Sequence, residues 1–478
     1  MIMTNYYSLF KPIRNKLKNI SLFYSLEKIN SLLKENPPPI VPEIVEFLFI
    51  NSVLYCPDYD TKNKKEESDF NQIINKSIDL HNLISDNYIE SDSNSIWGYM
   101  RRLFLNQFKI KQPEVTSQVY RYHKFYSEPD LSDHIKRKIK ISYYDFLLCS
   151  LWLFSVFIKK YYVEKTYFYN VNTDSNSFFY KKISITLELL SLPFSEFKIK
   201  MNDYIKYDIN MFHLHGKQHY ITPIIEFNNY FICMYPSLLF LQSTYGVYFI
   251  TEMFDSKYKL NKALGTGFEN YIYDVLNKIN TKSKYKIIKE FPYKNNQNLT
   301  TDFLLINNDE IVLIECKTKK QTIQTKIFST GVDSDSEIFS YAAKQLAKVY
   351  KVIDAYQNKH LCQIPFRLGI HFTPIIVFLE DGYFFDVNEE ISKQTKVELE
   401  NSNIDSNIID KYPYYFFSSY EFEYKAQIMF DIGFKNYFEQ LKCGRISQKY
   451  LESYPYTNLF IDEFQELFID PLKTSFQT

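Results

Sequence analysis

The run IVLIECKT at residues 311–318 constrains this chain more than any other stretch. Four successive apolar residues, Ile311 to Ile314, suit a strand covered on both faces, as in the interior of an α/β sheet. Two charges then interrupt the pattern, Glu315 and Lys317. Side chains alternate along a strand, so both project from one face, about 7 Å apart along it. Burying either ion unpaired is costly, and packing alone would not select them. The segment therefore reads as a core strand that also carries chemistry.

Its surroundings predict the architecture. Residues 286–293 (KIIKEFPY) and 302–307 (DFLLIN) are two further strand candidates, and the turn Asn308-Asp309-Glu310 leads into the third. Upstream, Gly265-Thr266-Gly267 precedes a helical pattern with Phe268, Ile272, Val275, Leu276 and Ile279 on one stripe. Downstream, Phe339, Ala342, Leu346, Val349, Ile353 and Tyr356 mark a long helix, followed by a strand at 374–379. Helix, three strands, helix, strand predicts an α/β unit with a mixed sheet flanked by helices.

The rest of the chain reads as mostly helical. Residues 1–205 are expected to form a separately packed helical body. A β-hairpin around Asn228-Asn229 and a connecting helix at 238–253 fill 206–258. The α/β unit spans 259–390, and 391–478 returns to helix, with a capping box from Ser418 to Glu421. Residues 146–158 (FLLCSLWLFSVFI) are too short for a membrane helix, which needs about 20 residues, and read as a buried core helix. No membrane partner is expected.

Composition excludes several functions. Lys+Arg and Asp+Glu both number 56, so any nucleic-acid partner needs a local basic patch rather than a global one. The 10 glycines form no P-loop, no dinucleotide fingerprint and no nucleophile elbow. Six scattered cysteines without a C-x-x-C pair suit free thiols in a reducing cytoplasm. His213, His215 and His219 in HLHGKQH have the density of a metal site but not its spacing, and read as a histidine-rich loop.

Asp302 opens the strand before Glu315, so antiparallel pairing brings the two carboxylates to one end of the sheet. That set suits a hard divalent cation, Mg²⁺ with Mn²⁺ as a substitute, which takes one or two carboxylates and keeps several waters. Asp302, Glu315 and the backbone carbonyl of Cys316 are the expected ligands, with Lys317 beside the attacking water.

Asp302, twelve intervening residues and then Glu315-Cys316-Lys317 resemble the D…(D/E)-x-K signature of the PD-(D/E)XK, or restriction-endonuclease-like, nucleases. The order of elements over 264–379 is similar to the core of that superfamily. The resemblance implies a restriction-endonuclease-like fold and adds Glu269 as a further metal-site carboxylate on the first helix. It also implies Gln345, on the second helix, as a further catalytic-site residue. Two departures stand: Thr301 replaces the usual proline, and Gln345 and Tyr350 are one residue too far apart for the Gln-x-x-x-Tyr of some branches.

The expected function is a Mg²⁺-dependent nuclease, most of all a DNA endonuclease, cytoplasmic, in restriction or antiviral defence. The flanking regions are expected to select substrate or to bind a second copy or a defence-system partner protein. Two alternatives remain: a catalytically silent nucleic-acid-binding or assembly subunit, and an RNA-directed nuclease. Lys319 and Lys320 follow the motif and suit phosphate contacts or a solvated surface equally.

Overall fold

The computed structural model describes residues 3–35, 40–59, 65–91, 115–169, 177–205, 218–253, 259–294, 297–318, 332–380, 388–446 and 453–476, with the single positions 61, 255 and 451. Lys319 and Lys320, and His213 and His215, lie outside them. The molecule is α/β, with mixed sheets flanked by helices.

A four-stranded sheet forms from β1 (Tyr162–Glu164), β2 (Ser191–Pro193), β3 (Ile224–Phe227) and β4 (Tyr230–Ile232), in the order β1-β4-β3-β2. The expected hairpin is β3–β4. Asn228 turns it with φ 49°, a left-handed conformation that Asn tolerates. The strands β1 and β2, three residues each, were not anticipated from sequence. The connecting helix is two short ones, Ser237–Ser243 and Val247–Ile250. They part where the Thr244 hydroxyl bonds back to the Phe240 carbonyl at 2.9 Å.

The second sheet has five strands: β5 (Lys286–Lys289), β8 (Phe303–Ile306), β9 (Glu310–Lys317), β10 (His371–Phe378) and β11 (Tyr415–Ser418). Between β5 and β8, β6 (Pro292–Tyr293) and β7 (Asn298–Leu299) make a small antiparallel ribbon. The order is β11-β10-β9-β8-β5, antiparallel from β5 through β9 and parallel from β9 through β11. Asn307 sets the register of the central hairpin, because its side-chain oxygen accepts the Asp309 and Glu310 amides at 2.8 Å each.

Alternation then sorts the side chains. Phe303, Leu305, Val312, Ile314, Ile375 and Val377 face one core, against helix Asn261–Ile279. Leu304, Ile311, Leu313, Ile376 and Phe378 face another, against helix Val332–Gln357. The strand Glu310–Lys317 is thus covered on both sides, as its apolar run requires. At its start, Glu310 is itself buried. Its carboxylate accepts the Phe434 and Lys435 amides at 3.0 and 2.8 Å, satisfying the first turn of helix Phe434–Lys442.

Among the described residues before position 205, the helices contribute to two cores. Helices Met3–Leu17, Leu22–Lys34, Pro42–Tyr55 and Glu66–Ser91 share a core with parts of the four-stranded sheet. Helices Val115–Tyr126 and Tyr143–Phe157 instead join the core of the five-stranded sheet. Helix Tyr143–Phe157, the apolar segment, is buried over most of its length. No single described helix is long and apolar enough to cross a membrane.

Gly265 and Gly267 lie inside helix Asn261–Ile279 rather than before it. A Cβ on Gly267 would stand 2.6 Å from the Phe125 carbonyl oxygen, so glycine is what lets this helix press against helix Val115–Tyr126. The same junction holds a buried ion pair. Arg121 donates through Nε to Glu423 Oε1 at 3.1 Å, and through Nη2 to the same oxygen, which also accepts the Tyr271 hydroxyl.

Candidate active site

Four carboxylates and two ammonium groups gather where β5 and β9 end and β8 begins. The ladder brings the first three together: the Glu290 amide donates to the Asp302 carbonyl at 3.0 Å, and the Cys316 amide donates to Asp302 Oδ2 at 2.6 Å. Asp302 thus ties the strand beginning at its own position to the end of β9. Glu315 and Lys317 share a face of β9, and that face looks toward helix Val332–Gln357.

Lys317 Nζ lies 2.6 Å from Glu315 Oε1 and 3.8 Å from Asp302 Oδ2. Asp302, Glu315 and Lys317 therefore converge, as their positions in the two strands predict. Glu315 is fully buried, and its Oε2 has no hydrogen-bond partner. Burial, the charge of Glu315 and that of Glu269 push the Asp302 carboxyl up to about 7. Glu269 is half-buried; desolvation raises its carboxyl above the usual range, and Glu290 and Glu315 add to the effect. It stands at the ninth residue of its helix, so a helix-dipole role in a first turn does not explain it.

Burial pulls the Lys317 ammonium down, but Glu315 and Asp302 more than reverse this and hold it above its ordinary value. Lys317 is thus a positive charge held between two carboxylates. The Cys316 thiol is pushed well up by burial, and its side chain faces the opposite core, so it is no nucleophile. Its amide points at Asp302, and in a strand the carbonyl of the same residue points to the same edge.

Sequence reasoning missed Lys348. From helix Val332–Gln357 it donates to Glu315 Oε1 at 2.9 Å and to Glu290 Oε1 at 3.3 Å. Gln345, one turn earlier, is half-buried on the same side of the helix, but the helix reaches Glu315 through Lys348. Tyr350 is turned away: its hydroxyl donates to the Tyr412 carbonyl at 2.7 Å, within the core behind the helix. Nothing in the sequence marks Lys348, which lies three residues after Gln345 between the apolar Ala347 and Val349.

The charges do not balance. Asp302, Glu315, Glu269 and Glu290 carry four negative charges if ionised, against two on Lys317 and Lys348. A deficit of two is what one divalent cation or two retained protons would supply, and the Asp302 and Glu269 carboxyls are both shifted upward by burial and by their acidic neighbours. The unpartnered Glu315 Oε2 is the oxygen such a cation would take. As they stand, no three His, Cys, Asp or Glu side chains among the described residues form a ready ion-binding group.

The histidine-rich segment resolves differently. His219 belongs to the short helix Gln218–Ile221, and its Nε2 is hydrogen-bonded to Glu46 Oε1 at 2.8 Å, beside Phe49 of helix Pro42–Tyr55. Compared with known proteins, the chain matches no family model, no curated protein and no solved structure.

Proposed function

We propose that the chain is a metal-dependent phosphodiesterase, a nuclease of the PD-(D/E)XK kind acting on DNA. The observation that carries the reading is the convergence of Asp302, Glu315 and Lys317 on adjoining strand ends, with a buried carboxylate oxygen of Glu315 left unpartnered. Support also comes from the sheet, in which an antiparallel hairpin leads by a long helix into a parallel strand. Such charges at the end of an apolar strand serve no packing purpose.

Asp302, Glu315 and the Cys316 carbonyl would hold Mg²⁺ or Mn²⁺, with Glu269 adjacent. The ion supplies Lewis acidity and a water of lowered pKa. The protein does the remainder. Lys317 stays protonated, holds Glu315 in place and offsets negative charge as it builds on the scissile phosphate. Asp302, oriented by the Cys316 amide at 2.6 Å, would present its carboxylate to the ion. The half-buried strand ends keep the reacting group at the mouth of the sheet, where a polymer can reach it.

A second reading rests on one observation: both lysines already neutralise Glu315 without a metal, which suits a catalytically silent nucleic-acid-binding subunit. Incubating the full chain with Mg²⁺ or Mn²⁺ and supercoiled, linear and single-stranded DNA, and with RNA, separates the readings. Cleavage that EDTA abolishes supports the enzyme; binding without cleavage supports the silent subunit. Cleavage of RNA alone changes the substrate class. A cytoplasmic role in restriction or antiviral defence, alone or with a second copy or partner protein, belongs to this proposal and rests on the family resemblance.

A further inference from the structure

We infer that Lys348 binds a backbone phosphate of the nucleic acid next to the one that is cleaved, while holding the same oxygen of Glu315 that Lys317 holds. This rests on the nuclease reading and extends it to a residue outside the strand motif.

The argument begins with donors. A lysine ammonium has three N–H donors and no acceptor. Lys348 spends two, on Glu315 at 2.9 Å and on Glu290 at 3.3 Å, which leaves one. Exposure says where that one is useful. The Lys348 side chain is 34% exposed against 16% for Lys317, so of the two ammoniums on Glu315 it is the one at the mouth. Its anchors differ in the same sense: Glu315 is fully buried, whereas Glu290 is 35% exposed at the strand edge. Lys348 thus bridges the buried centre and the surface.

The helix extends the same character. Lys344, Lys348 and Lys351 fall at i, i+4 and i+7, one side of helix Val332–Gln357; Lys344 is exposed and Lys351 half-buried. A row of ammoniums leading away from a carboxylate site tracks a polyanion. A chain whose formal charge is zero needs such a local row to hold one.

The test uses the full chain, a fluorescent DNA duplex and the variants Lys348→Gln and Lys348→Arg. Binding is measured with Ca²⁺ in place of Mg²⁺ over a salt series, and cleavage with Mg²⁺. The proposal expects Lys348→Gln to weaken binding severalfold and to reduce the slope of log K against log salt by about 1. KM should rise accordingly, and Lys348→Arg should restore the slope. If Lys348→Gln keeps the wild-type affinity and slope while cleavage falls, Lys348 acts only on Glu315 and the phosphate contact is overturned. If the wild type cleaves RNA and not DNA, the DNA assignment is overturned. If the wild type neither binds nor cleaves either nucleic acid, the nuclease reading fails and this inference fails with it.

Discussion

Lys317 and Lys348 place their ammonium groups on the same oxygen of Glu315, at 2.6 and 2.9 Å, although one comes from a strand and the other from the helix that covers it. Glu315 Oε1 is saturated with positive charge while Oε2, in the same buried carboxylate, has no partner.

Lys317 should matter to catalysis more than to binding. Lys317→Ala leaves Asp302 and Glu315 in place and removes a charge whose value rises in the transition state. We expect kcat to fall by about 10²–10³-fold while affinity for a DNA duplex in Ca²⁺ stays near wild type. Lys317→Arg should not restore the rate, because a planar guanidinium cannot occupy the space of a compact ammonium held between two carboxylates. Side-by-side binding and single-turnover cleavage check this; a Lys317→Ala enzyme at the wild-type rate would contradict it.

Asp302 should give a pH signature in the absence of divalent ions. Burial holds its proton in the folded state to about 7, whereas the unfolded carboxyl releases it near 3.8. The folded pKa is raised, so the linked stability is fully present below about 4 and is lost as pH rises through about 7. Asp302→Asn imitates the protonated form and lacks this loss. In EDTA, the melting temperature of wild type should match that of Asp302→Asn at low pH and fall progressively below it as pH approaches and passes 7. A difference that does not change with pH would show that Asp302 is not strained by its neighbours.

The Arg121–Glu423 pair should hold helix Val115–Tyr126 to helix Ser419–Ile432. Both side chains are nearly inaccessible, at 6% and 2% exposure, and Tyr271 donates to the same oxygen. Glu423→Ala strands a buried guanidinium, and we expect a loss of about 3–5 kcal/mol, seen as a large drop in melting temperature. The double change Arg121→Met with Glu423→Met should recover much of it. If the double variant is no more stable than Glu423→Ala, the loss comes from packing and not from the unpaired charge.

What the sequence made legible follows from its periodicities. The period of two fixed the faces of β8 and β9, so Asp302, Glu315 and Lys317 were found together from their spacing alone. The stripe of Phe268, Ile272, Val275 and Leu276 placed the first helix by its period of 3.6, but not its start: Gly265 and Gly267 looked like a turn, whereas they serve a close helix crossing at Phe125. The strand Tyr415–Ser418 was hidden because a short aromatic run before the Ser418 capping box has no period of its own. Lys348 was missed for a different reason. A lysine on an amphipathic helix ordinarily points to water, and only the tertiary approach of Glu315 gives it a partner. Gln345 was carried by resemblance to a pattern that Tyr350, buried against Tyr412, does not complete.

The most direct measurement is calorimetric titration of Mn²⁺ into wild type, Glu315→Gln and Asp302→Asn, paired with cleavage of supercoiled DNA by the same preparations. Glu315→Gln keeps the size of the side chain but removes the charge of the unpartnered oxygen. The account predicts that wild type binds the ion and cleaves, and that both variants lose ion binding and cleavage together while remaining folded by thermal melting. Wild-type protein that binds no divalent ion, or a Glu315→Gln variant that cleaves at the wild-type rate, would contradict it.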